Sequence, residues 1–176
     1  MVTPSRTADV CVDTCVFVNF AIVARVELMV QIVGFTFHVP QEVVDEVTVK
    51  AQKQKLEEVL SSGGLRKTSL HDVVELEHFA RYSQRFGKGE SACLAIAVCR
   101  GWVLATDEMK DKRLKKEIAT LGVRIVNTPG LLVKAIQQGL LSIDNADSIK
   151  AELEKNRFKM DFHSFQQFAG GPSTEG

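Results

Sequence analysis

Short apolar segments typical of buried strands alternate along this chain with longer segments of helical periodicity. The predicted strands cover residues 10–13, 35–39, 102–106 and 123–126. A helical pattern follows each of them, and strands connected through helices run parallel and are covered on both faces. The alternation therefore predicts an α/β fold, in which one parallel sheet is flanked by helices.

The predicted helices fill the intervals between these strands. Residues 16–33 are apolar enough to suggest a membrane span, but polar side chains recur on one side at helical spacing, which predicts an amphipathic helix and no membrane contact. Pro40 suits the first turn of a helix that runs to Ser61. Further helices are predicted from Asp72 to about Gly87 and over residues 91–99, 107–121, 131–136 and 143–153, with a last one carrying Phe158, Phe162 and Phe165.

Length and charge restrict the organisation of the chain. Its 176 residues, 45% of them hydrophobic, suffice for one core. We expect an N-terminal extension over residues 1–8, one domain with C-terminal helices over residues 9–168, and a disordered tail over residues 169–176.

The charges of the 22 basic and 22 acidic residues cancel, which excludes a protein that coats nucleic acid through bulk charge. The N-terminus lacks the pattern of a secretory signal, so the expected compartment is the cytoplasm.

The cysteines indicate structure rather than metal binding. They lie in apolar segments without CxxC spacing, and this is typical of reduced, buried thiols. The four positions are Cys11, Cys15, Cys93 and Cys99.

Carboxylates at strand ends carry the first functional signal. Asp13 and Asp107 each follow an apolar strand, and in a parallel sheet both emerge at the carboxyl edge, where open α/β folds bind ligands. Either one alone is also an acceptable helix N-cap. Glu90 begins an otherwise apolar helix, where the helix dipole stabilises an acid, and the neighbouring Gly87 and Gly89 let the backbone approach other groups.

A fourth acid is expected near the start of the helix after Pro40. Glu42, Asp45 and Glu46 are the candidates. Residue spacing alone does not choose among them.

Several short motifs, in this order, resemble those of PIN domains. The likeness extends over about residues 9–168 and is greatest to the prokaryotic branch related to VapC-type toxins. It is carried by Val12-Asp13-Thr14, by Val39-Pro40 with Val43 and Glu46, by Gly87-Lys88-Gly89-Glu90-Ser91-Ala92, by Ala105-Thr106-Asp107, and by Asn127-Thr128-Pro129-Gly130-Leu131-Leu132.

The resemblance implies an acidic pocket that binds Mg²⁺ or Mn²⁺ and an endonuclease activity on RNA. The acids of the family fall on Asp13, Glu46, Glu90 and Asp107, which selects Glu46 among the three candidates. The toxin branch usually has aspartate where this chain has Glu90. The chemistry fits independently, since hard divalent cations prefer oxygen ligands and activate a bound water as nucleophile.

Other residues are second-rank candidates. Thr14, Thr106 and Thr128 are placed to bond the acids or a phosphate, although each also suits a cap or turn. Asp111 would lie one helical turn after Asp107, or would pair with Lys115 instead. Two basic runs adjoin the acids and would ordinarily be solvated helix faces; the cations chosen there as RNA-binding residues are Arg85, Lys88 and Arg113.

The sequence leaves rival functions and partners open. A phosphatase with Asp13 as nucleophile would need a second aspartate two residues later, where Cys15 stands. A non-catalytic PIN-like module that binds RNA or a partner is the other alternative. Relatives that act as toxins have a small antitoxin partner, and related domains pair, so a homodimer is expected. The stripe of Phe158, Phe162 and Phe165 is interpreted as core cover within the same domain.

Overall fold

The computed structural model describes residues 7–170 and confirms the predicted α/β fold. Its sheet has five parallel strands in the order β3-β2-β1-β4-β5. They are β1 Ala8–Val12, β2 Phe35–Pro40, β3 Arg66–Thr68, β4 Val103–Ala105 and β5 Ile125–Val126. Sequence reasoning missed β3, because this short strand is polar throughout and has no apolar pattern.

The central strand β1 determines where the carboxyl edge gathers side chains. Val10 pairs with Phe37 of β2 on one side and with Val103 of β4 on the other. At the end of the strand, Val12 lies beside Ala105. The residues that follow β1 and β4 therefore emerge next to each other.

Helices cover both faces of this sheet. They are α1 Thr14–Ile22, α2 Val26–Val30, α3 Gln41–Glu46, α4 Lys50–Ser61, α5 Val73–Tyr82, α6 Lys88–Arg100, α7 Lys112–Leu121, α8 Thr128–Gln137 and α9 Ile143–Lys155. The predicted central helix is confirmed as α6, in which residues 91–97 are all buried. None of the helices within residues 7–170 is long and apolar enough to cross a membrane.

Two predicted helices are interrupted. The helix expected over residues 16–33 ends at Ile22, and Ala24 takes a left-handed backbone with φ 52°. The amide of Arg25 donates to the carbonyl of Phe20, which closes the helix in the way a glycine normally does. Because alanine occupies that position, no glycine marked the end of the helix in the sequence. The helix after Pro40 is also divided, between α3 and α4, where Val47 turns into the core.

The C-terminal part corrects two further predictions. Helix α7 begins at Lys112 instead of Asp107, because the side chain of Asp111 accepts from the amides of Arg113 and Leu114 and caps it there. The last predicted helix is wrong: a 3-10 helix, Phe165–Phe168, follows an irregular segment.

The phenylalanine stripe nevertheless covers the core, as interpreted. Phe165 is fully buried, and Phe158 and Phe162 pack against the core. Asp147 fixes this segment by accepting from the Ser164 hydroxyl at 2.6 Å and the Phe165 amide at 2.8 Å. Most of the predicted tail, residues 171–176, lies outside the described residues.

Candidate active site

Asp13 lies directly after β1 and caps α1. Only 5% of its surface is exposed. Its Oδ1 accepts from the Thr14 amide at 2.7 Å, and its Oδ2 accepts from the hydroxyl of Thr106 at 3.1 Å and the thiol of Cys15 at 3.2 Å. Burial raises the pKa of Asp13 in spite of these donors. The carboxylate is therefore held in one orientation at the edge of the sheet.

Glu46 reaches the same edge from the end of α3. Its Oε2 accepts from the Thr14 hydroxyl at 2.5 Å, and its Oε1 accepts from the amide of Gly89 at 2.7 Å. A Cβ atom on Gly89 would collide with Oε2 of Glu46 and stand 3.0 Å from Oγ1 of Thr14. Glycine at position 89 thus allows the backbone of α6 to bind Glu46 directly.

Glu90 lies in the first turn of α6 and has one oxygen atom without a hydrogen-bond partner. Its Oε1 is buried and has no hydrogen-bond partner among the described residues. Burial, and then the negative charges of Asp13, Glu108, Asp111 and Glu46, raise the pKa of Glu90 to about 7. A cation beside this oxygen would relieve both effects.

A cleft of about 590 Å³ brings three of the four predicted acids together. We call it the acid cleft; its lining includes Asp13, Glu46, Glu90, Glu108 and Asp111. Of the three candidates on α3, Glu46 is the one that lines it. Asp45 is exposed and accepts from Gln41.

Asp107, the fourth predicted acid, is oriented toward a neighbouring groove. Its Oδ1 accepts from the Thr128 amide at 2.8 Å, and its Oδ2 accepts from the Thr128 hydroxyl at 2.5 Å and from Asn19 at 2.9 Å. Burial raises the pKa of this carboxyl as well. These bonds tie the loop after β4 to the start of α8.

Sequence reasoning missed two residues at the site. Cys15 donates to Asp13 and accepts from the Asp107 amide at 3.3 Å, so it lies between the two strand-end acids. Burial, and then the charge of Asp13, raise the pKa of Cys15, which therefore stays a neutral thiol. Its position two residues after Asp13 was the available signal. Glu108 enters the acid cleft because residues 107–111 form a loop, whereas a helix was expected there.

The remaining cysteines agree only in part with their prediction. Cys11 and Cys93 are buried, but Cys99 is exposed. Its place near the C-terminal end of α6 carries it out of the core.

The cations chosen from the sequence lie around the acid cleft and differ in whether an acid of the chain is already close to them. Arg85 lines it and stands 3.5 Å from the carboxylate of Glu117. Arg113 lies 3.3 Å from Asp111. Lys88 is exposed in the first turn of α6. Binding of RNA by these three stays a prediction, and Arg113 has its charge engaged by an acid of the site.

The side chains of the acid cleft suit a divalent cation in chemistry. Within residues 7–170, no group of three or more histidine, cysteine, aspartate or glutamate side chains is arranged to hold a metal ion by itself. Three carboxylates nevertheless line one cleft, and the buried Oε1 of Glu90 lacks a partner there. Oxygen donors of this kind are those that Mg²⁺ and Mn²⁺ prefer. Asp13, Glu46 and Glu90 are the residues that would hold the ion.

Comparison with known proteins gives a family. The family model DUF3368, described as a PIN domain, matches residues 9–169. The search of curated proteins finds no match.

Proposed function

Because this chain belongs to the PIN-domain family, whose members are generally nucleases and typically bind divalent metals, we propose that it is a metal-dependent endoribonuclease. It would use Mg²⁺ or Mn²⁺ to hydrolyse phosphodiester bonds in RNA, in the cytoplasm. The observation that carries the proposal is the acid cleft, and above all the buried, unpartnered oxygen of Glu90. Such an atom costs stability unless a ligand satisfies it.

Each acid has a separate task in this proposal. A bound divalent ion would lower the pKa of a coordinated water and offset charge on the phosphate. Asp13 offers its carboxylate in a fixed orientation, since three donors hold it. Glu46 is restrained by Thr14 and Gly89. Glu90, whose Oε1 is buried without a partner, would supply a further carboxylate oxygen to the ion.

Asp107 acts as a positioning residue. Its bonds to Thr128 and Asn19 fix the loop after β4. That loop presents Glu108 and Asp111 to the acid cleft. Thr106 contributes by donating to Asp13 and by accepting from the Glu108 amide at 3.1 Å.

Cleavage of labelled single-stranded RNA tests this proposal. We expect cutting in Mg²⁺ or Mn²⁺, none with a chelator, and a large loss for Glu90→Gln. The matched control is Glu57→Gln, which removes an exposed acid on α4 and should cut like the wild type. Equal cleavage with chelator would exclude a metal mechanism. Retained RNA binding without cleavage in either metal would instead favour the non-catalytic module.

The biological part of the proposal is a toxin-like homodimer that acts on cellular RNA and is held inactive by a small antitoxin. Its basis is the resemblance of residues 9–168 to the prokaryotic branch related to VapC-type toxins, from which the chain departs at Glu90. Induced expression of the wild type should arrest growth, and this arrest should require Asp13 and Glu90. Co-expression of the product of the neighbouring reading frame should relieve the arrest. If the Glu90→Gln variant also arrests growth, the arrest is not caused by RNA cleavage. A monomer in light scattering would remove the homodimer.

A further inference from the structure

A second groove, of about 700 Å³, continues from the acid cleft. Its walls come from α1, from the loop after β4, from the start of α8 and from residues 156–162. Cys15, Val18 and Glu108 line both cavities. A chain that occupies the acid cleft can therefore extend into the second groove without leaving the surface.

The rim of this groove carries three exposed cations, Lys110, Arg157 and Lys159. In the part of the chain that the structure describes, none of the three lies within 4.0 Å of a carboxylate. Their charges are thus free to meet phosphates, unlike that of Arg113, which pairs with Asp111. Acids line the groove too, among them Asp161, so its attraction for a polyanion depends on these three positions and not on overall charge.

The groove is also apolar between its cations. Phe158 and Phe162 line it as half-buried side chains, together with Met109 and Met160. Bases of a single strand stack on aromatic and apolar surfaces while cations follow the backbone. The lining combines both kinds of contact.

The wall formed by residues 156–162 is held in place by the protein itself. Arg157 adopts a left-handed backbone with φ 68°, and the Phe158 amide donates to the carbonyl of Leu153 at 3.0 Å. The ring of Phe162 packs edge-on against buried Phe165, with centroids 4.9 Å apart. A wall ordered before binding does not have to be ordered by the substrate, which favours affinity.

We propose that this groove, which we call the basic groove, binds the stretch of single-stranded RNA that adjoins the scissile phosphodiester. Lys110, Arg157 and Lys159 would contact its phosphates, and Phe158 would meet a base. The inference rests on the proposed function for the identity of the strand. It differs from the sequence-based choice of Arg85, Lys88 and Arg113. It places the contacts on the loop after β4 and on residues 156–162.

The test removes the three cations together, as Lys110→Gln, Arg157→Gln and Lys159→Gln, in an Asp13→Asn background that does not cut. Fluorescence anisotropy with a short fluorescein-labelled single-stranded RNA measures affinity in Mg²⁺ at several salt concentrations. The matched control replaces three exposed lysines elsewhere, Lys50, Lys53 and Lys67, by glutamine. Thermal melting of each protein checks that it is folded.

We expect the Kd of the basic-groove variant to rise about ten-fold or more and the slope of log K against log salt to fall by about 2, as three lost contacts to a single strand require. The control should lose much less, and the charge-keeping variant Lys110→Arg, Arg157→Lys and Lys159→Arg should restore binding. A folded variant that binds RNA as tightly as its parent overturns the basic groove, even if the wild type cuts RNA. Loss of binding in this variant supports the groove even if the wild type cuts no RNA, which counts against the nuclease alone.

Discussion

Two glutamates of this protein, buried Glu75 and half-buried Glu90, lie under opposite electrostatic conditions. Glu75 on α5 has a side chain that is 3% exposed, and Arg100 donates to it through Nε at 2.5 Å and through Nη2 at 2.9 Å. This pairing lowers the pKa of Glu75 to about 2. Glu90 meets four acids instead, and its pKa is raised to about 7. One acid is matched by a cation of the chain, and the other is not.

This contrast separates a region that stabilises the fold from the region that we propose for catalysis. Arg100 also donates to Thr68 and to the carbonyl of Ser69, and its guanidinium lies 4.9 Å from the ring of Trp102. The Glu75–Arg100 pair therefore ties α5 and α6 to the edge strand β3. The acid cleft leaves its charge unbalanced, as a site does when a ligand must supply the balance.

The largest expected effect is on activity, from Asp13→Asn. RNA cleavage should fall about a thousand-fold, because one oxygen ligand of the metal loses its charge. Asparagine keeps the helix cap on α1, so the free energy of unfolding should change by less than about 1 kcal/mol. Urea denaturation measures the free energy of unfolding, and cleavage rates measure the activity. A strongly destabilised variant would show that Asp13 belongs with Glu75 as a structural acid.

The next effect is on stability, from Arg100→Met. This change leaves Glu75 buried without its partner, which should cost about 3 kcal/mol in the free energy of unfolding. The double variant with Glu75→Gln should recover part of the loss, because no unpaired charge remains. Cleavage by the folded fraction should stay near that of the wild type. A loss below about 1 kcal/mol would mean that this buried pair contributes no more to stability than an exposed ion pair does.

Added metal should stabilise the protein through the acid cleft and not through the Glu75–Arg100 pair. Mn²⁺ at about a hundred times its Kd should stabilise the wild type by about 2.7 kcal/mol, since the ion binds only the folded state. The Asp13→Asn variant should lose most of this shift, and Arg100→Met should keep it. Thermal scans with and without Mn²⁺ decide the point. A full shift in Asp13→Asn would locate the ion elsewhere.

Gly89→Ala tests the contact that restrains Glu46. The new methyl group must displace the carboxylate, and we expect about a ten-fold loss of cleavage, equivalent to about 1.4 kcal/mol in the barrier. Gly87→Ala is the matched control, because its Cβ would stand 3.9 Å from Oε1 of Glu46, an ordinary contact. Equal losses in both variants would attribute the effect to the helix start instead of Glu46.

The sequence predicted the parts of this site that depend on local pattern. Asp13 and Asp107 were identifiable because each ends an apolar strand, and parallel strands share an edge. The bonds from Thr14 and Gly89 to Glu46 depend on how α3 packs against α6, and residue spacing carries no such information.

The orientation of the acids could not be predicted from the sequence either. Asp107 is turned to Thr128 by a loop that looked helical in sequence. Glu108 enters the acid cleft for the same reason. Cys15 resembled a core thiol because its neighbours are apolar, although its sulfur contacts Asp13.

The smallest expected effect is the pH dependence of stability, in which the two regions have opposite signs. Glu75 has a folded pKa near 2, below its ordinary 4.5, so the unfolded chain binds more protons between these values. Its stabilisation is complete above pH 4.5 and is lost as the pH falls toward 2. Glu90 has a folded pKa near 7, above 4.5, so the folded chain binds more protons in that window. The contribution of Glu90 to stability therefore falls as the pH rises from 4.5 to 7, and is constant above.

Between pH 5 and pH 8, the Glu75–Arg100 pair contributes no pH dependence, since Glu75 is fully ionised there. Asp13 and Asp107, whose pKa values burial also raises, act in the same direction as Glu90. Because the cleft is open to solvent, we expect the wild type in chelator to lose less than about 1 kcal/mol across this range. Glu90→Gln removes one group that binds a proton and should reduce the slope. Arg100→Met leaves Glu75 buried without its cation, which raises the pKa of Glu75 and should steepen the curve, whereas Arg100→Met combined with Glu75→Gln should keep the wild-type slope. Urea denaturation at closely spaced pH values measures both. A wild-type curve that stays flat from pH 5 to 7 would mean that the cleft acids are balanced by cations, as Glu75 is.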